Sequence, residues 1–414
     1  MRRVAVTGLG VVSPVGNSVG EFWNSLTAGK CGIDFITKFD TADFKVKIAA
    51  EVKNFDPLCC MEKSEVRKTD LFSQFALCAA DQAMRDSGLT GIDPRRLGVY
   101  VGSGIGGIHT IVEEAEKLFT KGPSRISPYF IPKMIANMAS GNIAIRYNAQ
   151  GPCLPVVTAC ATSSHAVGEA FRAIQHGYAD AVLAGGTEAS VIPLAVAGFI
   201  NCMALSTKND PMNSSLPFDR RRDGFVIGEG AGVLVLEEYE HAVSRGAKIY
   251  AEITGYGNTC DAYHQTAPHP EARGGAEAIR LAAEEAGIGK SADTLYINAH
   301  GTGTLLNDKT ETLAIKKALP DLAYQAYISS TKSMTGHMLG AAGAVEAIAS
   351  VLALSTGTVP PTVGYREADP DCDLNYVPNQ AVKVHPSGAL SISLGFGGHN
   401  ACVAFRKAEE VNPV

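Results

Sequence analysis

The amino-acid sequence predicts an α/β fold. Three observations carry that expectation: short apolar runs that end in glycine, amphipathic stretches between them, and an internal echo between two glycine turns. The runs are apolar on consecutive positions, as in strands of a sheet covered on both faces. In chain order, residues 4–6 lead into Thr7, Gly8 and Gly10 and read as a first strand and a turn, not as a signal peptide. Residues 72–87 place Phe75, Ala76, Ala79, Ala80 and Ala83 on one helical side. Residues 97–101 run into Gly102, and residues 181–184 into Gly185 and Gly186. Further strand-length runs lie at 231–236, 295–297 and 390–394, with helical patterns at 275–286 and 341–354. Strands that alternate with helices mean α/β layers. The echo pairs residues 96–107 with 388–398. Each is a strand running into Gly-x-Gly-Gly, with Ile105 and Phe396 at matching places. It points to a duplicated fold. No proline-rich or low-complexity linker divides the chain, so the halves are expected to pack as one body.

Composition narrows the function. At about 100–200 residues per domain, 414 residues make two domains or one large α/β unit. The 36 Lys and Arg against 42 Asp and Glu leave a net charge of −6, which argues against a nucleic-acid binder, because that needs a basic face to displace counterions. With 46% hydrophobic and 19% charged residues, the chain can build a sizeable core. Its ten cysteines are scattered without a CxxC pair, so neither a zinc ribbon nor a disulfide framework is expected. The pattern reads as a reduced, cytoplasmic protein with mostly buried thiols. No apolar run reaches the roughly 18 residues of a membrane span, so no membrane partner is expected.

Four motifs invite chemistry. Gly102-Ser-Gly104-Ile-Gly106-Gly107 contains GxGxxG after a strand, the form of a dinucleotide fingerprint. That fingerprint needs an acid about 20 residues on to hold a ribose, and residues 122–132 contain no Asp or Glu. A tight turn lining a cavity is the better reading. Thr158-Ala-Cys160 ends an extended segment and precedes a helical pattern with Ala166, Val167, Ala170, Phe171 and Ile174 on one face. Cys160 is thus placed at a helix N-terminus, where the dipole favours a thiolate and backbone N–H groups can receive an oxyanion. Asn298-Ala-His300-Gly-Thr302-Gly-Thr304 delivers a histidine from a strand into a Gly/Thr loop. Lys332 and His337 flank a glycine turn ahead of an alanine-rich helix that carries Glu346. Any one of these alone reads as a packed core residue. One cysteine and two histidines, each at a strand end in a glycine-flanked loop, read as a set, because α/β sites lie at strand ends.

Taken in order, Thr158-Ala-Cys160, Asn298-Ala-His300-Gly-Thr and Lys332-Ser-Met-Thr-Gly-His337 resemble the decarboxylating condensing enzymes of the thiolase-like family, and within it the β-ketoacyl-[acyl-carrier-protein] synthases of type II. The resemblance covers essentially the whole chain, including residues 217–230 and Gly395-Phe396-Gly-Gly398. It implies a duplicated thiolase-like fold, with layered helices and two mixed sheets around a central helix layer. The implied halves are 1–250, with nucleophile Cys160, and 251–414, with His300, Lys332 and His337. It implies a decarboxylative Claisen condensation between an acyl chain and malonyl-acyl-carrier protein, elongating fatty acids by two carbons. Leu394 stands where the family commonly has Phe, Gly303 where serine is frequent, and Ile392 where a polar residue is frequent. None of these removes a catalytic group.

The same resemblance assigns roles. Cys160 is the acylated thiol; His300 and His337 donate N–H groups to the enolate; Lys332 organises the site, with Glu346 as its partner. The backbone N–H groups of Cys160 and Phe396 form the acyl oxyanion hole, and Phe396 gates it. Thr302 and Thr304 contact pantetheine; Ile105 and Phe199 line the acyl tunnel. No cofactor is implied beyond the phosphopantetheine of the carrier protein. A monovalent-cation site at Asn298, Glu346 and Ser391 is a further family feature, which Ile392 weakens. Lys63, Arg67 and Lys68, extended by Arg125 and Lys208, read either as a solvated basic face or as a docking patch for acidic acyl carrier protein. A homodimer is the family expectation. Four rival enzymes and one non-enzyme compete with this reading. A polyketide-type ketosynthase shares the chemistry. A coenzyme A thiolase would use a second cysteine, for which Cys402 is in the right region. A cysteine hydrolase leaves Lys332 and His337 without a role. A non-catalytic chain-length partner would lack Cys160, and type III synthases carry asparagine in place of His337. Acyl-chain length depends on tunnel volume and is not written in these motifs.

Overall fold

The computed structural model describes residues 1–289 and 294–408. Nine strands form its main sheet: β1 (Val4–Val12), β2 (Leu97–Gly102), β3 (Ala181–Glu188), β4 (Gly230–Glu238), β5 (Ala251–Cys260), β6 (Leu295–Asn298), β7 (Tyr327–Ser329), β8 (Gly388–Gly395) and β9 (His399–Arg406). Their order is β2-β3-β4-β1-β5-β9-β8-β6-β7. The expected two mixed sheets are therefore half-sheets of one ladder. They meet along a short antiparallel seam in which Val4, Ala5 and Val6 of β1 face Ile253, Glu252 and Ala251 of β5.

Counting outward from that seam, the two halves repeat. The first runs β1, β4, β3, β2, and an isolated parallel bridge adds Cys153 beside Val99 of β2. The second runs β5, β9, β8, β6, β7. In both, the strand at the seam and the next two are antiparallel neighbours, and the outer neighbours are parallel. The duplication is real, but the echo noted in the sequence pairs the wrong strands. Residues 96–107 contain β2, fourth from the seam, whereas residues 388–398 contain β8, third from it. The counterpart of β8 is β3, so Ile105 and Phe396 are not equivalent positions.

Five helices make the layers: α1 (Leu71–Ser87), α2 (Thr162–Gln175), α3 (Arg273–Glu285), α4 (Leu305–Ala318) and α5 (Ala342–Thr356). Helix α1 packs on β1 and β4, and α3 packs on β5 and β9. Helices α2 and α5 touch each other and strands of both halves, which makes them the central layer. The apolar faces of α1 and α3 are largely alanine, and their strands offer glycine to them. A Cβ at Gly10 would lie 1.9 Å from the Ala79 carbonyl oxygen, and one at Gly257 would lie 1.9 Å from that of Ala278. A Cβ at Gly8 or Gly255 would likewise lie 2.2 Å from the carbonyl oxygen of Ala83 or Ala282. This corrects the reading of Gly8 and Gly10 as a turn: β1 continues through both, because the glycines make room for the helix.

Two further expectations are corrected. Cys60 and Cys78 are disulfide-bonded, although a chain of free thiols was expected. The stretch Leu339–Thr356 is long and apolar enough to cross a membrane by composition, with Glu346 as its only charge, but 89% of it is buried inside the protein, where α5 forms the central layer. An apolar helix of that length inside a layered core needs no lipid.

Candidate active site

Cys160 stands on a sharp elbow. The preceding Ala159 has φ 51°, in the left-handed region that side chains rarely adopt. A single 3-10 turn over Ala159–Ala161 then feeds α2. The Thr162 hydroxyl accepts from the Thr158 N–H at 2.9 Å and braces the turn. Backbones crowd around the elbow: a Cβ at Gly395 would lie 2.8 Å from the Thr158 carbonyl oxygen, and one at Gly102 would lie 2.0 Å from that of Val156. Strain held in place by such packing is typical of reactive positions.

The GxGxxG turn meets a carboxylate of the chain itself, not a nucleotide. Glu188, at the end of β3, accepts from the Gly104 N–H at 2.9 Å, the Ile105 N–H at 3.3 Å and the Ser103 hydroxyl at 3.1 Å. It also accepts from the Gly340 N–H at 3.1 Å. Gly340 is the duplicate of Cys160: it follows Leu339, with φ 48°, in a 3-10 turn that feeds α5 as the Cys160 turn feeds α2. Burial raises the Glu188 pKa to about 7 against these hydrogen bonds.

His300 follows β6. Its backbone N–H and that of Gly301 donate to the Glu311 carboxylate of α4, at 2.6 and 2.7 Å. His337 follows Gly336, whose φ is 63°, and its N–H donates to the Val226 carbonyl at 2.7 Å. The two imidazole rings lie 5.3 Å apart at 88° to each other, and the Phe225 ring packs edge-on against His337 at 5.1 Å. Both rings are buried, and neither Nδ1 has a hydrogen-bond partner. Burial first, and the Lys332 charge second, hold both imidazoles well below their usual pKa, so both are neutral.

A cavity of about 340 Å³ joins these groups. It is lined by Cys160, His300, His337, Thr302, Thr304, Phe199 and Phe396, among others. The Thr302 and Thr304 hydroxyls are 3.0 Å apart. Lys332, whose charge acts on both rings, is buried and ion-paired with Glu346. Ile105 does not line the cavity, and its side chain is 37% exposed. Cys402 is fully buried on β9 and outside the cavity, so it cannot serve as the second thiol of a thiolase.

The thiol departs from expectation. Burial raises the Cys160 pKa to about 12; Lys332 and the Phe396 N–H pull it down, but less strongly. Desolvation of a thiolate outweighs the helix end, so the resting group is a thiol. The backbone N–H groups of Phe396 and Cys160 both act on the Cys160 sulfur and lower its pKa.

Asn298 and Ser391 are register partners on β6 and β8, and α5, which carries Glu346, packs on both strands. The Asn298 amide, the Ser391 hydroxyl and Glu346 Oε2 are buried without hydrogen-bond partners. Orphaned oxygens of this kind fit a hard cation. Burial raises the Glu346 pKa to about 7, against the pull of Lys332.

On the surface, Lys63, Arg67 and Lys68 project from a short helix, Lys63–Lys68, and Arg125 from the turn Pro123–Arg125. Lys68 lies over the Tyr129 ring at 5.8 Å, which draws the two segments together. Lys208 is already engaged, by the Arg221 carbonyl and by Asp223 at 3.5 Å; Asp223 lines the cavity mouth. Glu188, Glu311 and Phe225 were missed in the sequence. A lone acid closing the apolar run of β3 was the available signal for Glu188; Glu311 looks like any helix-surface acid.

Residues 1–242 match the family model "Beta-ketoacyl synthase, N-terminal domain", and residues 250–366 match "Beta-ketoacyl synthase, C-terminal domain". The chain is 50% identical over 409 residues to 3-oxoacyl-[acyl-carrier-protein] synthase 2 of Synechocystis sp., covering 98% of each. It superposes on the ishigamide ketosynthase/chain length factor with a TM-score of 0.92 at 38% identity, covering 99% of this chain and all of that one. A ketosynthase solved with its type II acyl-carrier protein and a hexaketide superposes with a TM-score of 0.89, also at 38% identity, with coverage of 99% and 100%.

Proposed function

The chain belongs to the beta-ketoacyl synthase family, and from that premise we propose that it is a 3-oxoacyl-[acyl-carrier-protein] synthase that elongates fatty acyl chains by two carbons. One observation carries the reading: two neutral, buried imidazoles 5.3 Å apart face the same cavity as a buried thiol on an elbow.

In the first step the Cys160 sulfur attacks the acyl thioester of the carrier protein. The thiol proton ends on the departing pantetheine sulfur, so the exchange needs no net base. The Cys160 and Phe396 N–H groups receive the tetrahedral oxyanion. Malonyl-carrier protein then enters, with Thr302 and Thr304 on its pantetheine. Cleavage of its C–C bond releases CO2 and leaves an enolate on the thioester oxygen. N–H donors from His300 and His337 stabilise that oxygen, each by roughly 3 kcal/mol on the scale of an oxyanion-hole donor. A neutral imidazole donates without becoming a competing acid. The enolate carbon attacks the Cys160 thioester; as the new C–C bond closes, the sulfur leaves as a thiolate and takes a proton from solvent, which restores the thiol. Lys332 holds the local field and is itself held by Glu346.

Asn298, Ser391 and Glu346 are proposed to hold a monovalent cation, which would fix strands β6 and β8 beside His300. The proposed partners are acyl carrier protein, docking on Lys63, Arg67, Lys68 and Arg125, and a second copy of the chain. Support for the second copy is the outer edge beside β2, where Leu154 and Val157 are 53% and 52% exposed. The proposed location is the cytoplasm. Phe199 and Phe396 are proposed to wall the acyl path.

The test separates the two steps. Cys160→Gln should abolish condensation while malonyl-carrier protein still loses CO2, measured as gas release with the folded variant. Loss of decarboxylation along with condensation would refute a histidine-borne enolate.

A further inference from the structure

Three sulfur atoms meet outside the lining of the condensation cavity. Cys60 and Cys78 are joined in a disulfide, and the free, exposed Cys59 completes a cluster in which all three sulfurs lie within 4.8 Å of one another. Cys60 is half-buried and Cys78 buried. The cross-link spans 18 residues of chain, and those residues include the whole helix Lys63–Lys68. That helix buries none of its own residues. Its apolar ties are the half-buried Val66, packed on the core, and Lys68 over the Tyr129 ring; the rest are polar: the Glu62/Glu65 capping box, Arg146 bridging the Cys60 carbonyl at 3.0 Å and Glu65 at 2.9 Å, and Gln74 donating to the Val66 and Thr69 carbonyls at 3.2 Å each. A short element with no fully buried side chain, held mainly by polar contacts, opens more readily than the core it rests on. A covalent link that closes its loop restricts that opening.

We propose that Cys59, Cys60 and Cys78 form a thiol–disulfide exchange site for low-molecular-weight thiols and disulfides, and that its state sets how firmly the basic helix is held. The consequence for carrier binding rests on the docking role given to that helix above. In the opening direction a small thiolate attacks Cys60 Sγ, the more accessible sulfur of the pair. The Cys60–Cys78 bond breaks, and Cys78 leaves as a thiolate and takes a proton. A second small thiol attacks the mixed disulfide and departs as the oxidised small molecule, and the freed Cys60 sulfur takes a proton. Two thiols have supplied two electrons. In the closing direction a small disulfide is received at Cys59, releasing one thiol. Cys78 displaces the second thiol from Cys59, and Cys60 then takes Cys78 and restores the free Cys59. In a reducing compartment a bond of this kind is a transient, sensing one.

The full chain is equilibrated with reduced or with oxidised glutathione, its disulfides are mapped by peptide mass spectrometry, and amide hydrogen exchange is followed over residues 61–70. A Cys60–Cys78 link that forms with oxidised and opens with reduced glutathione is expected, with exchange over 61–70 about 10-fold faster when open. Cys59→Ser should close about 10-fold more slowly. Three free thiols under both conditions, a metal ion held by the three sulfurs in the purified chain, equal exchange in both states, or unchanged closing in Cys59→Ser would each overturn the proposal. If opening frees the helix but carrier-protein affinity stays the same, this site stands and the docking reading falls.

Discussion

Cys160 and Lys332 are the two residues whose environments most constrain the chemistry. A thiol with its pKa raised to about 12 has a thiolate fraction that rises about tenfold per pH unit throughout the neutral range. Alkylation of Cys160 by iodoacetamide should therefore climb from pH 7 to pH 10 without levelling. A plateau near pH 8 would mean that the elbow and Lys332 prevail over burial. The Lys332–Glu346 pair is buried on both sides, so removing one partner strands a charge. Lys332→Met should cost about 3–5 kcal/mol at pH 8 in urea unfolding. Glu346, whose pKa is already raised to about 7, is raised further in that variant. A carboxyl raised in the folded state contributes stability that is present at low pH and lost as pH rises through its folded pKa, so the deficit should be smaller at pH 5 than at pH 8. Lys332→Met with Glu346→Gln should regain most of the stability and none of the condensation.

At the scale of elements, the repeated contact between strand glycine and helix alanine makes a prediction in duplicate. Gly10→Ala and Gly257→Ala each drive a Cβ to 1.9 Å from a helix carbonyl oxygen, so strand and helix must part. Each should cost about 1–3 kcal/mol or more, and the two, set in different halves, should add within about 0.5 kcal/mol. Calorimetry of the two single variants and the double variant measures this; a neutral result in one half would break the equivalence. These contacts also show what was legible in the sequence. Gly8 and Gly10 read there as a turn, because the Ala83 and Ala79 carbonyls that require glycine come from a distant helix, and Gly255 and Gly257 repeat that contact in the second half. The Gly-x-Gly-Gly echo is louder but joins strands of different rank. The elements that carry Cys160, His300 and His337 were readable because each motif is contiguous. Glu188 and Glu311 were not, because what makes them matter is the backbone N–H groups that folding brings to them from distant segments.

For the whole molecule, net charge and patch oppose each other: the chain carries −6 overall, while Lys63, Arg67 and Lys68 crowd one short helix. Arg67→Glu with Lys68→Glu should raise KM for acyl-carrier protein about 10-fold and leave KM for a pantetheine-only substrate unchanged. The difference should shrink as salt rises, because exposed charges are screened over about 8–10 Å near physiological ionic strength. Equal effects on both substrates would move the docking surface elsewhere.

The turn at Gly340 has one more consequence. A repeated fold offers two elbows, each at the head of a central helix, and so two places where a nucleophile could have been kept. In the idle copy the amide that corresponds to an oxyanion donor is stoppered by the Glu188 carboxylate, and a Cβ at Gly340 would lie 2.4 Å from the Gly104 nitrogen and 2.9 Å from that carboxylate. No single change can wake it, since a cysteine there would need both the plug and the neighbouring turn to withdraw. The symmetry of the fold is thus broken at its centre: one elbow opens on the cavity, and its twin is packed shut against the first.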